Sequence, residues 1–202
     1  MNGEIKKARL YISGLGLYEA YFVPEKAAKG EKKISCVEEG AVKLGDEYLT
    51  PFYNDYDRWV QYQTMDVTDT INGSGTIQVM LGNGWYKARF GFKPTPNNAG
   101  LYGDDWMMIA ELHLLYADGH EEVICSDDSW TVKRSKITFS NIYDGEHADE
   151  TLPEMPVEKA VCHKGPKGKL TDRMSTRLIC HHVFTPAKLI DTPAGEKVFD
   201  LG

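Results

Sequence analysis

Along most of the chain apolar and polar residues alternate at a period of two, in short runs bounded by Gly, Asn, Asp or Pro. This is the pattern of strands with one buried face. The clearest run spans residues 107–116, where Met108, Ala110, Leu112, Leu114 and Tyr116 fall on one face and Glu111 and His113 on the other. Ala8, Leu10 and Ile12 alternate in the same way, as do Ile77, Val79 and Leu81, Trp130 and Val132, and the run 177–184. Asn72-Gly73, Asn83-Gly84 and Asp118-Gly119 separate these runs, each offering a second residue that tolerates the positive φ of a tight hairpin. Residues 24–40 break the pattern: Ala, Lys and Glu give them helix propensity without an apolar face, which predicts an exposed insertion with a short helix. Closely spaced strands with turns between them and few helices predict an all-β fold, a β-sandwich of jelly-roll type.

Composition narrows the picture by exclusion. A chain of 202 residues can bury a sizeable core, as one large all-β domain or one domain plus the start of another. Its 23 Lys and Arg against 30 Asp and Glu give a net charge of −7, and the lysines between 26 and 33 are interleaved with acids. That is not the basic footprint phosphates demand, so nucleic acid is not an expected partner. No window offers the roughly 18 uninterrupted apolar residues of a membrane helix, and the polar start carries no secretory leader pattern. The sequence assigns no compartment. Cys36, Cys125, Cys162 and Cys180 lack CxxC spacing, which favours free thiols over a zinc ribbon or a redox motif.

Few residues carry legible chemistry. Gly14-Leu15-Gly16 lacks the third glycine and following helix of a dinucleotide loop, and reads as a β-turn. His181 and His182 are neighbours that a strand would point to opposite faces, and no ligand spacing supports a zinc site with Cys162, His163 or Cys180. Asp104-Asp105 and Asp127-Asp128 sit in turn-like contexts where capping accounts for them.

Two clusters stand out. The first is LGNGWY (81–86), in which Asn83 offers hydrogen bonds to hydroxyls while Trp85 and Tyr86 offer faces to stack on a sugar. A core role beside a hairpin is the competing reading of Trp85. The second is IYDGEH (142–147), where Asp144 and Glu146 share one side of an extended chain and suit sugar hydroxyls or a calcium ion. A solvated loop or an interdomain contact would place the same residues there, and two carboxylates are too few for calcium. No cofactor is expected.

The runs ARLYISGLGLYEAY (8–21), DEYLTPFYNDY (46–56), LGNGWY (81–86) and IYDGE (142–146), in this order, resemble the N-terminal domain of bacterial α-L-rhamnosidases. The tail KVFDLG (197–202) is similar to the opening of the following β-sandwich in those glycoside hydrolases. The resemblance implies a galactose-binding-like β-sandwich at 1–156, with a linker and the first strands of a truncated second β domain at 157–202. The family's acid and base carboxylates belong to a later (α/α)6-barrel, so no catalytic residue is carried over and no hydrolysis is expected from this chain alone. The implied function is accessory recognition of rhamnose-containing glycosides; the alternative is a structural domain whose partners are other domains of the same polypeptide. Some related domains bind rhamnose with calcium, which makes Asn83, Trp85, Tyr86, Asp144 and Glu146 the candidate sugar site. Where the family has a short turn, this chain carries an insertion at about 24–42, tolerable because loop-closure entropy grows only logarithmically with length.

Overall fold

The computed structural model describes residues 3–25, 37–71, 73–88 and 101–202. In chain order its strands are β1 (Ile5–Gly14), β2 (Leu17–Pro24), β3 (Val42–Leu44), β4 (Trp59–Asp66) and β5 (Gly75–Gly82), followed by one helical turn, α1 (Gly84–Lys87). Then come β6 (Met108–Tyr116), β7 (Glu121–Cys125), β8 (Thr131–Val132), β9 (Ile137–Asn141), β10 (Gly145–Ala148), β11 (Glu158–Lys159), β12 (Lys169–Asp172), β13 (Lys188–Asp191) and β14 (Lys197–Asp200). A five-stranded sheet in the order β12-β4-β1-β6-β7 faces a three-stranded sheet in the order β3-β2-β5, and three two-stranded ribbons pair β9 with β10, β8 with β11 and β13 with β14. The protein is a β-sandwich.

Alternation decides the register. Leu10 lies opposite Leu112, Ile12 opposite Ala110 and Ala8 opposite Leu114, so the apolar faces of β1 and β6 coincide. A slip of one residue would turn all of them to solvent, at about 1.5–3 kcal/mol for each large side chain lost from the core. Tyr18, Ala20 and Phe22 of β2 meet this face from the other sheet, and Leu44, Met65, Val67 and Ile71 close the layer. The Asp118-Gly119 turn joins β6 to β7 as expected, with Gly119 at φ +87°. Leu15-Gly16 is a turn that carries the chain from one sheet to the other.

Three local expectations need revision or fall elsewhere. Asn83-Gly84 does not close a hairpin: β5 pairs with β2, and the chain after it winds into α1. The run 177–184 is not a strand; only Ile179 finds a bridge, to Glu47, and Val183 and Phe184 are exposed, so alternation there had no sheet to join. Most of the insertion lies outside the described residues, as does Asn72; Pro24 ends β2 and Val42 opens β3. Cys125, Cys162 and Cys180 are free and exposed, whereas Cys36 falls outside the described residues. Among the described residues no helix is long and apolar enough to cross a membrane.

The segment after residue 167 returns to the first sheet. β12 runs parallel to β4, Lys169 opposite Trp59 through Asp172 opposite Tyr62. Beyond it Arg173 and Arg177 both pair with the buried carboxylate of Glu47, and the Met174 amide donates to Gln61 Oε1 at 2.9 Å.

Candidate functional site

One end of the sandwich gathers rings from three distant stretches of sequence. A second, smaller core there is made by Leu15, Tyr56, Val60 and Tyr86, with Tyr102 and Met107 packed against it. Successive residues of a helical turn point about 100° apart, so Trp85 and Tyr86 cannot share a face. Tyr86 turns inward and meets Tyr56 edge to face at 4.9 Å between centroids. Trp85 stays half-buried and meets Tyr53 edge to face at 6.3 Å. The Tyr53 hydroxyl lies 3.2 Å from that of Tyr102, whose ring packs on Tyr56 at 5.0 Å. The result is a continuous aromatic ledge, open at Trp85 and at Tyr53, which is 45% exposed, and anchored inward on Tyr56 and Tyr86.

Glycines set the position of α1. Gly84 has φ +50°, and a Cβ there would come within 2.6 Å of the Gly16 carbonyl carbon and the Leu17 nitrogen. Gly16, at φ +106°, would in turn drive a Cβ into the Gly82 and Asn83 carbonyl oxygens. The β1–β2 turn and the start of α1 are therefore in backbone contact, which only a glycine pair permits.

Asn83 does not cap the turn with its side chain; its Nδ2 donates to the Ser140 carbonyl of β9 at 2.7 Å. This bond ties the second predicted cluster to the first. Asp144 sits in the turn between β9 and β10 and Glu146 in β10, both exposed. Gly145 at φ +81° breaks the extended path that would align the two carboxylates on one side. Among the described residues no group of three or more His, Cys, Asp or Glu side chains could hold a metal ion. Asp144 and Glu146 fall short of the 6–8 oxygens calcium takes. Tyr86 belongs to the core rather than the surface, and Asn83 serves as a tether.

Hydrogen bonding to Tyr53, then burial and the nearby Asp55 and Asp57, hold Tyr102 above the ordinary tyrosine range. Tyr86 is raised by burial and by Asp105 and Asp104. Both phenols are neutral at physiological pH. Lys87 donates to the Asp104 carbonyl and lies 3.8 Å over the half-exposed Trp106 ring. Neutral rings with hydroxyl tips and an acidic rim suit an uncharged polyol, whose C–H face stacks while its hydroxyls donate, and disfavour an anion.

Tyr53 and Tyr102 are the site residues that sequence reading missed. Tyr53 lies within DEYLTPFYNDY, yet nothing in its neighbours signals contact with Trp85; pairing of the two is a tertiary event.

Residues 40–176 match the family of α-L-rhamnosidase N-terminal domains. The chain is 32% identical over 152 residues to an α-L-rhamnosidase of Formosa agariphila, covering 74% of this chain and 14% of that protein. It is 31% identical over 148 residues to one of Streptomyces avermitilis, covering 72% and 12%. Among solved structures it is similar to the α-L-rhamnosidase from Dictyoglumus thermophilum, with a TM-score of 0.69 and 29% identity over 96% of this chain and 20% of that one. The native α-L-rhamnosidase from Aspergillus terreus gives a TM-score of 0.71 and 26% identity over 98% and 22%, so the likeness is not confined to bacteria. The chain spans only 12–15% of the length of the curated relatives it matches.

Proposed function

Because the chain belongs to the family of α-L-rhamnosidase N-terminal domains, we propose that it is a non-catalytic accessory domain that assists recognition of rhamnose-containing glycosides, hydrolysis taking place in a domain outside it. The observation that carries this reading is the ledge of Trp85, Tyr53 and Tyr102: neutral, partly open, and fixed from below by two buried tyrosines. Asn83 supports it by linking the hairpin of Asp144 and Glu146 to the same end of the fold. Tyr86 contributes by holding α1 rather than by touching sugar.

The test is an isothermal titration of the chain with L-rhamnose, with galactose and glucose as controls. Saturable heat selective for L-rhamnose is expected, and its disappearance on chelation would place calcium, with ligands beyond the described carboxylates, in the site. Flat titrations to high millimolar sugar would remove the recognition reading.

A second reading has its own support. Val161, Val183, Phe184 and Phe199 are all more than half exposed, apolar side chains that a neighbouring domain could cover. On this reading the chain packs against and positions other domains of the same polypeptide without binding sugar. No hydrolysis of an aryl rhamnoside is expected from the chain under either reading.

A further inference from the structure

The loop 46–54 carries Tyr53 and is held mainly by residues far from it in sequence. From below, Thr50 Oγ1 donates to the Tyr18 carbonyl at 2.8 Å and the Tyr18 amide donates to the Thr50 carbonyl at 2.9 Å. Gln61 Nε2 donates to the Tyr53 carbonyl at 3.1 Å. From outside, the segment after β12 lies along it: the Tyr48 amide donates to the Leu178 carbonyl at 2.9 Å, and Glu47 bridges Ile179. The Glu47 side chain, only 6% exposed, pairs with Arg173 and with Arg177 Nε at 3.2 Å, and Arg177 also pairs with Asp46. The Arg173 guanidinium lies 5.9 Å from the centre of the Phe52 ring.

Two features show that this arrangement is under load. Leu49 and Phe52 are non-glycine residues at φ +55° and +73°, conformations that persist only where the surroundings over-determine them. Glu47 Oε2 is buried with no hydrogen-bond partner among the described residues, so the carboxylate depends on its two arginines. Without Arg173 the carboxylate keeps only the Arg177 contact at 3.2 Å, and an outward swing of the loop would let it hydrate.

We propose that Arg173, acting through Glu47, is a positioning residue for the sugar site: the returning tail clasps loop 46–54 and so fixes Tyr53 against Trp85. This rests on the reading of Tyr53 and Trp85 as a sugar ledge. It makes ligand affinity depend on a salt bridge that touches no ligand.

The experiment uses the full 202-residue chain and two variants, R173Q and the milder R177Q, Arg177 being half exposed. Hydrogen exchange is read at the amides of Tyr18 and Tyr48, which bond Thr50 and Leu178, and at those of Leu10 and Leu112 in the core. In R173Q the first pair is expected to exchange about tenfold faster while the core pair keeps its rate, with a smaller effect in R177Q, as suits a residue that biases a site through an intermediary. The affinity for L-rhamnose should fall by about the same factor. Unchanged exchange at Tyr18 and Tyr48 in both variants, or a rise shared equally by the core in both, overturns the clasp. A flat L-rhamnose titration of the unaltered chain removes the ledge reading by itself, and the exchange pattern then decides the clasp alone.

Discussion

At the scale of residues, Trp85 and Tyr86 are adjacent, aromatic and indistinguishable by composition, yet one helical step gives them opposite duties. Tyr86→Ala should cost about 3–5 kcal/mol of stability by emptying its place against Tyr56. Trp85→Ala should cost clearly less stability and instead weaken sugar binding by about 1–3 kcal/mol, by analogy with stacking losses on other aromatic platforms. Urea unfolding and rhamnose titration of the two variants check the division, and equal stability losses would contradict it. The buried tyrosines also give the fold an alkaline limit. Tyr116 donates to Glu122 Oε2 at 2.6 Å. That hydrogen bond, then burial, pushes its pKa up to about 12 from the ordinary 10.0. The folded state therefore holds this proton more tightly than the unfolded chain. Its stabilising contribution is complete below pH 10 and is lost as pH rises through about 12. Phenolate absorbance followed through an alkaline titration should show Tyr116 still protonated at pH 10 in native protein and half ionised there in urea.

At the scale of elements, turns that look alike in sequence differ in what they support. Gly119, in the β6–β7 hairpin, has open space where a Cβ would project, so Gly119→Ala should cost only the backbone penalty of about 1–2 kcal/mol. Gly16 shares a positive φ but faces the backbone of residues 82 and 83, so Gly16→Ala must also push α1 away from β2. It should destabilise more than Gly119→Ala and move the Trp85 emission, which thermal melts and fluorescence of the pair will test. This contrast explains how much of the elements could be read. Alternation in β1 and β6 was legible because each strand buries one face, in β5 because Ile77, Val79 and Leu81 pack against the same core, and Asp118-Gly119 because a hairpin turn is local. Asn83-Gly84 misled because its glycine answers a neighbouring loop, not a returning strand. The run 177–184 misled because alternation states a preference for a sheet and cannot supply a free edge to join.

For the whole molecule, the returning tail is the feature of largest consequence. Ending the chain after Pro166 would remove β12 from the edge of β4 and strip Glu47 of both arginines, so the sandwich should lose about 3–5 kcal/mol, as expected when one side of a buried ion pair is deleted. Comparing urea midpoints of the two chains tests this, and coincident midpoints would make the tail a passive extension. The sequence by itself determined the fold class, the faces of the main strands and the family, because period-two burial, turn chemistry and ordered motifs are encoded in near neighbours. It also singled out Asn83, Trp85, Tyr86, Asp144 and Glu146 by residue type. Only the tertiary structure decided that Tyr86 is core, that Asn83 tethers one cluster to the other, that Tyr53 and Tyr102 complete the ledge, and that Arg173 closes on Glu47. Those outcomes depend on which chain segments the closed sandwich brings within a few ångströms, and side chains far apart in sequence carry no local mark of the partner they will meet.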